Sequence, residues 1–201
     1  MRRPLLACLL AVAAAIAGCA FAPAAEQAVT TSLLDQLPAE VPHRTTASPL
    51  TLVVFPPEAR PAVDTMQMAY AAKPHQLAYY AHNQWAETPP QMLQPLLVRT
   101  LEATGAFHAV VSPPVAGMPV LALRTDVVEL VQDYTQEPPV LRLALRVRLA
   151  DERTRNVLGT REVVVQEPMQ QQGPDAGVRA ANAAMARALR DVAQFVLEKA
   201  P

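Results

Sequence analysis

Side chains able to do chemistry are scarce in this chain, and their spacing does not assemble them. The serines are Ser32, Ser48 and Ser112, two of them followed directly by proline. None lies in a Gly-x-Ser-x-Gly turn or shows a linked His-Asp pattern, so acyl transfer by a serine nucleophile has no set of partners. His75 and His82 are seven residues apart. An odd spacing puts them on opposite faces of a regular strand, which argues against a shared metal ion. There is no HExxH and no phosphate-cradling glycine loop. Asp126, Glu129 and Asp133 are the nearest thing to a carboxylate cluster, and their spacing reads better as a solvated strand edge. The expectation is a protein without catalytic residues, without a metal and without a cofactor beyond covalent lipid.

The lipid is expected on Cys19. Arg2 and Arg3 precede an apolar run from Leu5 to Ala17, a secretory leader too short to span a bilayer. It ends in Ile16-Ala17-Gly18-Cys19, which resembles a bacterial lipobox. In that class the leader is removed before the cysteine, whose thiol and new amino group receive acyl chains. One chain holds a protein to a membrane only marginally, at about 0.8 kcal/mol per buried methylene, whereas two or three hold it stably. Ala20 follows where an aspartate would signal inner-membrane retention in enterobacterial lipoproteins, so the resemblance implies the outer membrane. The chain then divides into a leader at 1–18, a lipidated tether at 19–28 and one periplasmic domain at 29–201. Cys8 leaves with the leader and Cys19 is consumed, so no disulfide or cysteine nucleophile remains within one mature chain.

Composition narrows the partners. The formal net charge is −1, and losing Arg2 and Arg3 makes the mature chain more acidic. No basic patch dominates, which argues against nucleic acid. The 20 prolines in 201 residues are about twice the usual share and fall between elements, favouring short strands and stiff loops.

The elements follow from periodicity. Val29–Leu34 and Leu50–Phe55 read as short strands. Asp64–Ala72 and Leu77–His82 alternate on either side of Lys73-Pro74, a β-hairpin pattern. Thr88 is placed as an N-cap with Pro89 opening a helix, and Gly105 stands where it would close. Phe107–Val111 and Val120–Val131 read as strands, the latter with a phase slip near Thr125-Asp126. In Val140–Leu149, Leu141, Leu143, Leu145, Val147 and Leu149 alternate with Arg142, Ala144, Arg146 and Arg148, a half-buried antiparallel strand with Val157–Glu167 as its partner. Asp175 is placed to cap a last helix with Val178, Ala181, Met185, Ala188, Leu189, Val192, Phe195 and Val196 on one stripe. The expected fold is α+β, a mostly antiparallel sheet with two main helices packed on one face.

Asp64-Thr65 through Tyr70, Leu77-Ala78-Tyr79-Tyr80, Trp85, Pro89, Leu93, Leu97, Leu101 and Gly105-Ala106-Phe107 carry a resemblance as an ordered set. With the flanking segments, the chain resembles the ABC-type transport auxiliary lipoprotein family over nearly all of its mature length. The resemblance implies an accessory lipoprotein in the outer membrane, facing the periplasm. It implies work with an ABC-type system whose MCE-domain substrate-binding proteins move lipids or other hydrophobic molecules between membranes. This chain has no nucleotide loop, so coupling to ATP lies in another subunit. The expected role is docking, with self-association into a ring as an additional possibility.

Contact residues for such docking are drawn from two places. Tyr80 faces opposite to Tyr79, so one of the pair turns away from the main core; Tyr70, Tyr79 and Trp85 read as core. Arg142, Arg146 and Arg148 line one strand face, solvated or else facing an acidic partner surface or lipid headgroups. A second reading is a lipid-binding carrier with its own cavity, lined by Met66, Met68 and Met92. A lipid-anchored hydrolase ranks third.

Overall fold

The computed structural model describes residues 28–115 and 121–201; Cys19, Ala20 and the leader lie outside the described residues. The elements are β1 (Thr30–Ser32), β2 (Ser48–Val54), β3 (Glu58–Ala59), β4 (Gln67–Ala71), β5 (Ala78–Trp85), α1 (Pro89–Glu102), β6 (Phe107–Val111), β7 (Leu121–Asp133), β8 (Val140–Asp151), β9 (Asn156–Pro168) and α2 (Pro174–Lys199).

The sheet is built around β7. One of its edges pairs antiparallel with β8 over nearly its whole length, and β8 in turn pairs antiparallel with β9. The other edge serves three short parallel strands in succession: β2 at Leu121–Leu123, β3 at Asp126–Val127 and β4 at Gln132–Asp133. Beyond β2 lies β6; beyond β4 lie β5 and then β1. The fold is α+β as expected, but the sheet is mixed. Among the described residues β1·β5, β2·β6 and the three short strands on β7 are parallel, and only β4·β5, β7·β8 and β8·β9 are antiparallel. Parallel partners need long crossovers, so no local pattern announces them.

Both helices lie on one face and touch each other. Leu141, Leu143, Leu145, Val147 and Leu149 of β8 are all buried beneath them, each stabilising the fold by about 1.5–3 kcal/mol. In α2 the stripe facing the sheet is almost all alanine at its first half, from Ala176 to Ala188. Small side chains let the helix approach closely. At Gly177 an added Cβ would sit 2.0 Å from the Gln132 side chain, so this turn rests directly on β7.

Caps and turns mostly match the sequence. Pro89 opens α1, and Gln91 accepts a hydrogen bond from the Thr88 N–H at 3.0 Å. The helix ends at Glu102, and Gly105 (φ 62°) turns the chain toward β6 in a conformation that favours glycine. Two details differ. The N-cap of α2 is Gly173, and Asp175 lies inside the first turn, where its charge faces the positive end of the helix dipole. The irregularity of β7 falls between Val127 and Glu129, two residues later than the phase slip indicated.

Residues 33–47 form a strap across the outside of the helix layer. Asn182 of α2 accepts from the Asp35 and Gln36 N–H groups and donates to Leu33 O. Arg44 donates to Leu197 O at 2.6 Å and Ala200 O at 3.1 Å, satisfying carbonyls that the end of α2 leaves without helical partners.

Candidate functional site

With both helices on one side, the opposite face of β7, β8 and β9 is free of any helix among the described residues. Strand parity decides what it presents. Arg142, Arg146 and Arg148 point there from β8, beside Glu129 and Arg124 of β7 and Glu162 and Val164 of β9. The arginines are not equivalent. Arg142 bonds Glu129 at 2.7 Å and Asp133 at 2.9 Å, and is half-buried. Arg146 reaches Glu162 only at 3.8 Å with both side chains about half exposed, an ion pair of little energetic weight. Arg148 is exposed, and no carboxylate among the described residues pairs with it.

Asp133 is the electrostatic anchor of this face. Its carboxylate is 1% exposed and accepts from Thr135 N–H and Oγ1, Gln136 Nε2 and Arg142. Burial alone would raise its pKa, but the hydrogen bonds from Thr135 and Gln136 and the Arg142 guanidinium outweigh it and hold the carboxyl below its ordinary value. Glu129 shares Arg142, while Asp126 is exposed on its own. Glu129 and Asp133 thus meet on one guanidinium, while Asp126 stands apart from both.

A cleft of about 440 Å³ opens on the same face, walled by Phe55-Pro56-Pro57-Glu58 and floored by Arg124, Asp126, Arg146, Arg148 and Thr160. The Arg124 guanidinium stacks 4.4 Å from the Phe55 ring centroid and bonds Glu152 at 2.6 Å. These residues offer two exposed guanidinium groups beside an apolar wall. That suits an acidic, partly apolar protein surface.

Tyr80 lies on the other side of the sheet. Its ring packs against the main core and stacks 4.7 Å from Tyr70, while Tyr79 turns to the open face with Ala69, Ala71 and Val131. The Tyr80 hydroxyl lies 3.1 Å from Gln132 Oε1 and contacts the Tyr134 hydroxyl. Tyr134 donates to Gln132 at 2.6 Å and accepts the Gly173 N–H at 3.0 Å. Burial first, then the hydrogen bond with Tyr134 and repulsion between its phenolate form and those of Tyr134 and Tyr70, push the Tyr80 phenol well above its ordinary pKa. The structure therefore separates Tyr80 from the arginines, which no single partner surface would touch together. Tyr134 was missed by the sequence reading; it follows the end of β7 and no spacing ties it to Tyr80.

The remaining candidates are dispersed. Met68 and Met92 are buried in the core, where Met92 Sδ accepts the Leu34 N–H, and Met66 is partly exposed. A cleft of about 480 Å³ between the strap and α1 is lined by Leu37, Val41, His43 and Arg99 rather than by methionines. His75, in a left-handed turn conformation, and His82 are both exposed. Among the described residues no three His, Cys, Asp or Glu side chains gather around a common point, and no helix is long and apolar enough to cross a membrane.

Residues 32–193 match the family model described as the ABC-type transport auxiliary lipoprotein component. Among solved structures, the fold is similar to a Xanthomonas campestris protein of the DUF330 family, with 21% identity and a TM-score of 0.73 over 85% of this chain and 96% of that one. An uncharacterized protein aligns at 16% identity and TM-score 0.68 over 84% and 99% of the two chains. A hypothetical protein from Chlamydia trachomatis aligns at 10% and 0.53 over 76% and 98%. At these identities the likeness is one of fold. No curated protein matches the sequence.

Proposed function

The chain belongs to the ABC-type transport auxiliary lipoprotein family, and from that premise we propose that it is a non-enzymatic docking component of an intermembrane lipid transport system. Acyl chains on Cys19 hold it to the periplasmic face of the outer membrane, and the uncovered sheet face receives an MCE-domain protein of the transporter. ATP hydrolysis belongs to a separate inner-membrane subunit. The observation that carries this reading is the exposed pair Arg146 and Arg148 beside the Phe55-Pro56-Pro57 wall, on the sheet face that no described helix covers. Arg142 serves that surface by fixing Asp133 and Glu129, and Tyr80 by bracing the helix side of the same strands. Met68 and Met92 are packed as core fillers, which favours docking over a carrier with its own cavity.

The test is recovery from the cell envelope of a tagged chain and a Cys19→Ala variant that cannot be acylated. The docking role predicts that an identified MCE-domain protein accompanies the wild type, which sediments with outer membranes, and that the variant loses the membrane. Free lipid without such a protein would favour the carrier, and recovery of neither would overturn the proposal.

A further inference from the structure

Among the described residues β9 pairs on one side only, with β8, and leaves a 13-residue edge of backbone donors and acceptors. Such an edge is a template for another strand, and natural proteins usually block it with charges, prolines or bulges. Here the charges are arranged in a particular way. The segment reads Arg161-Glu162-Val163-Val164-Val165-Gln166-Glu167. Laid antiparallel against itself about Val164, it sets Val164 against Val164, Val163 against Val165, Glu162 against Gln166 and Arg161 against Glu167. Every ionic pair has opposite sign, and Pro168, which lacks a donor, falls at the margin of the pairing. Registers centred on Arg161 or Glu162 would instead set like charges together. We propose that this edge pairs with the same edge of a second copy, about a two-fold axis through Val164.

Helix α2 supports the same axis independently. It packs over β8 and β9, and two ion pairs tie it to β9: Arg161 to Glu198 at 2.6 Å and Glu167 to Arg187 at 2.5 Å. These lie three residues to either side of Val164, so the two-fold that pairs the strands also runs the helices antiparallel. Arg187 then stands opposite Glu198 of the second copy, and Asp191 opposite Gln194. Two strand spacings separate the helices, about 10 Å, which is a normal interhelical distance. At each end Arg161 and Glu198 of one copy meet Glu167 and Arg187 of the other, an alternating set of four charges. Val164 itself is 61% exposed, whereas Val163 and Val165 are each 4% exposed under α2. The pairing would cover an apolar residue that folding leaves in water. It does not rest on the docking role above, which uses Arg146 and Arg148 on the open face, although Val164 borders that face.

The experiment places a cysteine on the axis. Val164→Cys meets its own copy at a Cα separation of about 4.5–5.5 Å, within disulfide reach. Val157→Cys is matched in exposure at 58%, but lies seven residues from the axis, roughly 24 Å along each strand. Full-length variants in the cell envelope are treated with a mild oxidant and run without reductant. The expected result is a covalent dimer from Val164→Cys and monomer from Val157→Cys. In sedimentation of the detergent-solubilised chain, Val164→Lys should halve the mass of the assembly and Val157→Lys leave it unchanged. Equal cross-linking at the two positions, or an unchanged mass for Val164→Lys, would overturn the proposal.

Discussion

Asp133 shows how one carboxylate organises a surface. Four donors surround it, and the most distant in sequence, Arg142, comes from the next strand. Because its folded pKa is lowered, its contribution to stability is fully present above the unfolded value near 4 and is lost as pH falls through the folded value. Asp133→Asn should therefore destabilise the fold by about 1–3 kcal/mol at neutral pH. It should also flatten part of the acid limb of a stability-versus-pH curve measured by denaturant unfolding. An acid limb of unchanged slope would show that the charge is not what these donors hold. At this scale the sequence was legible only as parity. It placed Tyr79 and Tyr80 on opposite faces and the three arginines together. It carried no sign of which face the helices would cover, because that depends on packing between segments far apart in the chain. So the Tyr80 hydroxyl, expected as one candidate contact, is bonded to Gln132 and Tyr134 across more than fifty residues.

Elements with a full period were read well. The alternation of β8 is unbroken from Leu141 to Leu149, and the stripe of α2 runs for five turns, so both survive in the fold within a residue or two. The two-residue β3 offers no period at all, and the parallel attachments of β2, β3 and β4 to β7 depend on crossovers that local alternation does not encode. The closeness of α2 to β7 is also invisible in the sequence, although it leaves a testable mark. Gly→Ala inside a helix ordinarily stabilises by up to about 1 kcal/mol. At Gly177 the new methyl would meet the buried Gln132 side chain, itself held by two tyrosines. Gly177→Ala should destabilise by about 1–3 kcal/mol, and most of that cost should vanish in a Gln132→Ala background. Additive effects in such a double-mutant cycle would mean that the helix simply shifts to make room.

For the whole molecule, the decisive property is asymmetry. The helices and the strap occupy one side of the sheet, and charged, half-exposed side chains occupy the other. The buried core lies on the helix side, and the proposed docking role uses the charged face that no described helix covers. The expected leader and the lipid site at Cys19 rest on short local motifs outside the described residues, whereas the shape of the surface required the assembled sheet. The measurement that bears most directly on the docking role is recovery of the MCE-domain protein by a tagged Arg146→Glu, Arg148→Glu variant, beside wild type, at equal amounts in the membrane fraction. Both side chains are exposed, so the fold should be retained with a stability change within about 0.5 kcal/mol. Docking through the open face predicts that the variant stays in the membrane and loses the partner. Undiminished recovery of the partner by a folded, membrane-bound variant would contradict it.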